Sequence, residues 1–238
     1  MMKRRFDPAH RYGLRLTLFV IAILVAAVPF GLLLREVTQE GPLTRLDTSA
    51  ARTLHEGVRD SPTLVNVLQI ISFMGGPLWF YFLTGGAAYY MWRQGHPRLA
   101  IYLVVTGLLG GLIDSIVKIA VDRPRPSLED PVATAHGKSF PSGHSMSSVV
   151  GYGSLLLTFL PVIARRWRLR VIAGIVTLVL TIGFTRLALG VHYITDVVGG
   201  FLLGAAWLTA ATAAFSIWRV ERGKKPVEPA EGLAPEAL

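Results

Sequence analysis

The chain has 238 residues, 52% of them hydrophobic and only 16% charged, with a mean hydropathy of +0.48. A soluble domain carries about a quarter charged residues, so a water-soluble globule is excluded and a multi-span membrane protein is expected. The net charge of +9 comes from basic residues gathered at the ends of apolar runs, where membrane topology requires them, so no nucleic-acid partner is expected.

Residues 1–15 form a basic arm containing Lys3, Arg4, Arg5, Arg11 and Arg15. Residues 16–34 are uncharged, longer than a signal-peptide core, with no Ala-x-Ala site after them; they read as the first membrane helix. Between Arg35 and Asp60, the positions Leu43, Leu46, Ala50, Leu54 and Val58 recur at helical spacing. They predict an amphipathic helix at the membrane surface, with an ordinary loop as the alternative.

Residues 61–92 carry no charge. As one straight helix they would run to about 48 Å, beyond the roughly 30 Å of a hydrocarbon core. Gly75-Gly76-Pro77 is the expected break, with 61–73 as an interfacial or tilted piece and 77–92 completing the crossing. Trp79, Tyr89, Tyr90 and Trp92 read as interface anchors.

The third span is 99–121, with Asp114 and Lys118 near its far end, and a polar, proline-stiffened loop comes next over 122–140. The fourth span is 145–164, then a basic turn at 165–170, the fifth span at 171–185 and the sixth at 197–218. Gly200 and Gly204 in the sixth make a small-residue packing seam. The tail, 219–238, is rich in Pro, Glu, Ala and Lys without an apolar face and reads as disordered.

Six spans put both ends of the chain on one side. That side carries 15 of the 24 Lys and Arg residues, which marks it as cytoplasmic. The expected architecture is all-α: an integral membrane bundle of six transmembrane helices over residues 16–218 with an amphipathic interfacial helix.

Three polar stretches then fall together at the outer ends of spans three to six. In the first, Lys118 ends a helix and Arg125 sits in the stiffened loop after it, so both cations can be aimed at one anion; Asp114 lies one turn before Lys118. The second, Pro141-Ser142-Gly143-His144, opens the fourth span. A helix start offers free N–H groups to an anion, Ser142 can cap it and donate, Gly143 lets backbone approach, and His144 can act as a general acid.

The third holds Arg186, His192 and Asp196. A carboxylate one helical turn from an imidazole can hold one ring proton and free the other nitrogen to attack, while arginine offers a fork for phosphate oxygens. Taken singly, each stretch is as well explained by a snorkelling lysine, a plain helix cap or a solvated histidine. Their placement at one interface argues for a shared site. His10, His55, His96 and His136 have no such spacing and are given no role; Arg123 and Lys138 are expected on a positive rim.

These stretches resemble the three signature motifs of the type 2 phosphatidic acid phosphatase (lipid phosphate phosphatase) superfamily: Lys-x6-Arg-Pro over Lys118 to Pro126, Pro-Ser-Gly-His over Pro141 to His144, and Arg-x5-His-x3-Asp over Arg186 to Asp196. The third usually opens with Ser-Arg; here Thr185 keeps the hydroxyl. The resemblance implies a lipid phosphatase in which Lys118, Arg125, Ser142, Gly143 and Arg186 bind phosphate. His192 would form a phosphohistidine, oriented by Asp196, and His144 would protonate the leaving oxygen and then activate water.

The resemblance implies neither metal nor other cofactor, three fixed cations taking a metal's place. The implied setting is the plasma (inner) membrane with both termini cytoplasmic and the site outside. The implied substrates are undecaprenyl diphosphate first, then phosphatidic acid, phosphatidylglycerol phosphate and lipid A phosphates. A vanadium haloperoxidase shares the motifs but is soluble. A transporter or non-catalytic phosphate-lipid binder is the other rival, but carriers place ionisable groups near the midplane on broken helices.

Overall fold

The computed structural model describes residues 11–234, with side chains from Thr17 onward. The first ten residues of the expected basic arm lie outside the described residues, and Arg11 to Arg15 are already helical. Helix α1 runs Arg11–Thr38, extending past the expected apolar stretch at both ends. Its last turn is tied to the start of the next helix, because the Glu36 carboxylate accepts from the Leu43 N–H at 2.8 Å.

Helix α2, Leu43–Arg59, forms where the amphipathic helix was expected, but the face it turns inward is rotated from the expected stripe, of which Ala50, Leu54 and Val58 are half-buried. Asp47, Ala51 and His55, one turn apart each, are buried, whereas Leu43 and Leu46 are exposed. Polar groups outrank the leucines here because they have partners in the protein, and the leucines face outward where lipid is the solvent.

Helices α3, Pro62–Phe73, and α4, Pro77–Arg93, are bent by 40° at the Gly75-Gly76 break, as the sequence predicts. Each starts with a proline, whose missing N–H costs nothing in a first turn, and Ser61 caps α3 through Leu64 N. Trp79, expected as an interface anchor, is half-buried instead and donates to the Tyr152 hydroxyl at 3.0 Å.

Helix α5 spans Pro97–Val121, α6 Gly143–Phe159 with a 3-10 turn over Leu160–Val162, α7 Arg165–Ala188 and α8 Ile194–Glu221. The stretch 165–170, expected as a turn, is the opening of α7, since five arginine and leucine positions there favour helix. Five helices are long and apolar enough to cross a membrane, and the bent α3–α4 pair brings the number to six among the described residues. No strand interrupts them there beyond an isolated bridge, Glu228 to Gly232.

The long helices pack around α8, with α1 and α6 lying along it. The Gly200 and Gly204 seam sets how closely α6 approaches: a Cβ at Gly200 would lie 2.5 Å from the Ser142 carbonyl oxygen, and one at Gly204 3.0 Å from that of Met146. That contact lets Ser142 N donate to the Asp196 carbonyl at 2.9 Å, joining the starts of α6 and α8. Elsewhere the surface is apolar, with Val25, Leu32, Phe82, Leu108, Ile119 and Leu180 all exposed, as a helix belt solvated by lipid requires.

The tail does not match its expected disorder over residues 222–234. Val227, Leu233 and Ala234 are buried in one cluster with Met91, Leu99, Leu103 and Phe215. Leu233 N donates to the Leu157 carbonyl at 2.9 Å, and Val227 N to Ser216 Oγ at 3.0 Å. Three scattered apolar residues have no periodicity to reveal them, yet they suffice to close the end of the bundle opposite the polar site.

Candidate active site

The starts of α6 and α8 and the ends of α5 and α7 meet at one end of the bundle, and the 122–142 segment crosses above them. Helix α5 delivers Asp114 and Lys118, which form an ion pair. Arg125 lies in the crossing segment, its fork fixed by carbonyls: Nε donates to Gly137, one NH2 arm to His136, both at 3.0 Å, and the other to Val191 at 2.8 Å.

Gly143 and His144 open α6, capped by Ser142, whose oxygen accepts from Ser145 Oγ at 3.0 Å. A Cβ on Gly143 would lie 2.9 Å from Lys118 Nζ, so only glycine lets the ammonium reach the helix start. Arg186, in the last turn of α7, is 8% exposed; one arm donates to Ser72 Oγ at 2.5 Å, while its Nε is buried without a hydrogen-bond partner among the described residues.

His192 is 2% exposed in the link between α7 and α8, and Asp196 is fully buried in the first turn of α8. Nδ1 of the histidine lies 3.3 Å from Asp196 Oδ2, and Nε2 lies 3.0 Å from an Arg125 nitrogen. An arginine can only donate, so Nε2 accepts and the ring proton sits on Nδ1, facing the carboxylate.

Burial holds the His192 pKa down at about 4, with Arg125 and Arg186 acting in the same direction and Asp196 opposing them. The imidazole is therefore neutral near pH 7 with its Nε2 lone pair intact. Burial also lowers the Arg125 pKa, partly opposed by Asp196 and Asp114, which leaves a strong hydrogen-bond donor in a poorly solvated place.

A cavity of about 810 Å³ opens onto these groups. Lys118, Arg125, Gly143, His144, Arg186 and His192 line its polar end, and Phe80, Tyr81, Val104 and Leu108 of α4 and α5 line an apolar arm. Six of the eight sequence-predicted site residues thus share one cavity wall. Ser142 and Asp196, both fully buried, stand behind it.

Several functional neighbours carry no sequence signal of their own. Arg123, expected on a rim, instead lies half-buried beneath the site and bridges Asp47 and Asp196, at 2.7 and 2.6 Å. Its burial lowers its pKa less than Asp196 and Asp47 raise it. Ser139 donates to Asp196 Oδ2, and Tyr193 N donates to the same oxygen at 2.9 Å. His55 is buried, its Nε2 within 3.1 Å of the Glu129 and Asp130 carbonyls, and so pins the crossing segment. Lys138 stays on the surface, paired with Asp122.

Fold and site together define a membrane-embedded helical protein whose pocket pairs a neutral histidine with a cluster of fixed cations. The sequence pattern of the PAP2 superfamily matches residues 98–219, just over half of the chain, and the chain belongs to that superfamily. It is 33% identical over 123 residues to phosphatidylglycerophosphatase B of Bacillus subtilis, a match covering 50% of this chain and 58% of that relative's length.

It is also 27% identical over 181 residues to a lipid A 1-phosphatase of Rhizobium etli, covering 66% and 74% of the two chains. With an undecaprenyl-diphosphatase of Sulfolobus acidocaldarius it shares 30% over 119 residues, 47% and 52% of each. A crystal structure described as the first transmembrane PAP2 type phosphatidylglycerolphosphate phosphatase from Bacillus subtilis superposes with a TM-score of 0.72, covering 80% of this chain and 94% of that one. At 23% identity, that likeness is one of fold.

The Asp196 carboxylate accepts from Arg123, His192, Ser139 and Tyr193, so Asp196→Ala leaves Arg123 with Asp47 as its remaining carboxylate and the buried Nδ1–H of His192 without an acceptor. The expected loss of unfolding free energy is about 1–3 kcal/mol, read from thermal unfolding in detergent.

Proposed function

We propose that the chain is a membrane lipid phosphatase that cleaves a lipid phosphate or diphosphate through a phosphohistidine on His192. The observation that carries this reading is the paired arrangement at His192: Nδ1 on a buried carboxylate, Nε2 toward a cavity shared with His144 and three cations. Lys118, Arg125, the orphaned Nε–H of Arg186 and the first N–H groups of α6 supply donors for the phosphate oxygens. Ser142, fully buried behind the cavity wall, supports these donors as the cap of α6, its oxygen accepting from Ser145.

The Arg125 arm now at Nε2 turns to a phosphate oxygen when substrate arrives, releasing the lone pair. That pair attacks phosphorus in line and the bond from phosphorus to the leaving oxygen breaks; His144, which takes up a proton from solvent as the substrate's phosphate anion offsets the cations around it, delivers that proton to the leaving oxygen. The charge left on the imidazole is held by Asp196. Water then attacks the phosphohistidine, giving its proton back to His144, and the bond between phosphorus and Nε2 breaks to release phosphate.

The apolar arm of the cavity, between α4 and α5, suits the hydrocarbon part of an amphiphile whose phosphate sits at headgroup level. Undecaprenyl diphosphate is the first candidate, with phosphatidic acid, phosphatidylglycerol phosphate and lipid A phosphates as the others; the names of the relatives span three of these. The excess of basic residues at the opposite end of the bundle supports a site on the extracytoplasmic side of the inner membrane. Three fixed cations at the phosphate end support a reaction that needs no metal ion.

Phosphate release from a panel of these lipids, with kcat/KM compared, tests the substrate class. Acid-quenched protein should retain a phosphoryl group on histidine in the wild type and accumulate more of it in His144→Ala, whereas His192→Ala should retain none. A wild type that never carries phosphate sinks the covalent route. Activity should persist in EDTA; loss restored by magnesium would show a metal-dependent reaction. Because His192 loses its lone pair only as the pH falls toward about 4, single-turnover phosphorylation should hold down to about pH 5. A fall at about pH 6.5, the ordinary imidazole value, would contradict that environment.

A further inference from the structure

The carboxylate behind His192 is itself held by a residue from outside the three motifs. Asp47, on α2, is 1% exposed. Its Oδ1 accepts from Thr195 N at 3.0 Å; its Oδ2 accepts from Thr195 Oγ at 2.5 Å and from an arm of Arg123 at 2.7 Å. The other arm of Arg123 donates to Asp196 Oδ1 at 2.6 Å and to Thr195 Oγ at 2.7 Å. The guanidinium face lies on the Tyr193 ring, 4.2 Å from its centre. A continuous chain of donors and acceptors therefore runs from α2 to the histidine.

Docking α2 does not by itself call for this arrangement. Ala51, on the same inward face, packs without any charge, and a buried ion pair is often no more stabilising than an apolar contact of the same volume. What the second carboxylate changes is how the cation is shared. Paired with Asp196 alone, Arg123 would direct its whole charge at the group that must hold the Nδ1 proton and balance the charge formed on His192. With Asp47 on its other arm, the guanidinium is divided between two anions, and Asp196 keeps the basicity its imidazole partner requires. The rigid fork also fixes where Asp196 Oδ1 sits, which leaves Oδ2 turned to His192.

We propose that Asp47, acting through Arg123, is a positioning residue for His192, so that the seating of α2 against the bundle sets the competence of the nucleophile. This rests on the reading of His192 as the group that attacks phosphorus.

The test uses the full chain in detergent, with Asp47→Asn and Thr195→Val made separately. Two quantities are measured: the single-turnover rate of phosphoryl transfer to the protein, and the titration of the His192 ring by 15N NMR. The ring is faced by Asp196, Arg125, Arg186 and His144, none of which is altered in either variant.

Asp47→Asn should slow phosphoryl transfer by about ten- to a hundredfold with KM little changed, the signature of a lost orienting contact. It should also move the His192 titration to lower pH, because Asp196 then bears the whole guanidinium charge. Thr195→Val keeps every charge and removes one shared hydroxyl, and should slow transfer by about fivefold. If Asp47→Asn does not fold, the Thr195→Val result decides the question alone. Wild-type rates in the folded variants, or a slowing with a raised KM and an unmoved titration, would overturn the proposal. A wild type that forms no phosphoenzyme while Asp47→Asn still moves the titration would remove the phosphatase reading and leave the relay standing.

Discussion

Everything at the polar end of this bundle is arranged around one fully buried carboxylate, that of Asp196. A charge taken out of water must be surrounded by donors, and Asp196 has four: the Arg123 guanidinium, the Ser139 hydroxyl, the Tyr193 N–H and the His192 ring. Those donors come from the crossing segment 122–142 and from the link between α7 and α8. Satisfying the carboxylate therefore fixes how the crossing segment lies over the helix ends. The geometry of the histidine is a by-product of the same requirement, since its ring can point only where its Nδ1 proton is accepted.

The cavity shows why such a site belongs at the end of a membrane bundle. Its polar wall is built from helix termini, where N–H groups are free and cations can approach them, and its apolar arm is built from helix middles, which lipid would otherwise cover. A single cavity can thus hold a charged headgroup and a hydrocarbon chain without moving either out of the environment it prefers. Gly143 and the Gly200 and Gly204 seam serve that construction by bringing Lys118 to the start of α6 and α6 to the side of α8.

Much of the site is legible in the sequence because its chemistry is local. Lys118, Arg125, His144, Arg186 and His192 lie in short stretches at helix ends, and helix ends are set by the lengths of apolar runs. Arg123 reads as part of a positive rim because nothing in its own stretch distinguishes a paired guanidinium from a solvated one. The acid that pairs with it, Asp47, is 76 residues away on another helix. Ser72 and Ser139 are invisible for the same reason: a serine hydroxyl acquires a role only from the group it meets. The inward face of α2 is rotated from its apolar stripe, leaving Leu43 and Leu46 outside, because apolar periodicity assumes water on the other side, and at a membrane surface that assumption weakens. The tail reads as disordered because three separated apolar residues make no pattern until a cluster exists for them to fill.

The sequence by itself determined that the chain crosses a membrane several times, and that histidines, cations and a helix start share one interface. Hydrophobic run length and motif spacing are properties of the chain alone, so folding did not have to be known to read them. Only the tertiary structure decided which carboxylate holds which cation, which nitrogen of His192 carries the proton, and that α2 reaches the site through Asp47. Those depend on desolvation and on contacts between residues far apart in the chain, and a buried charge takes its meaning from whatever is packed against it.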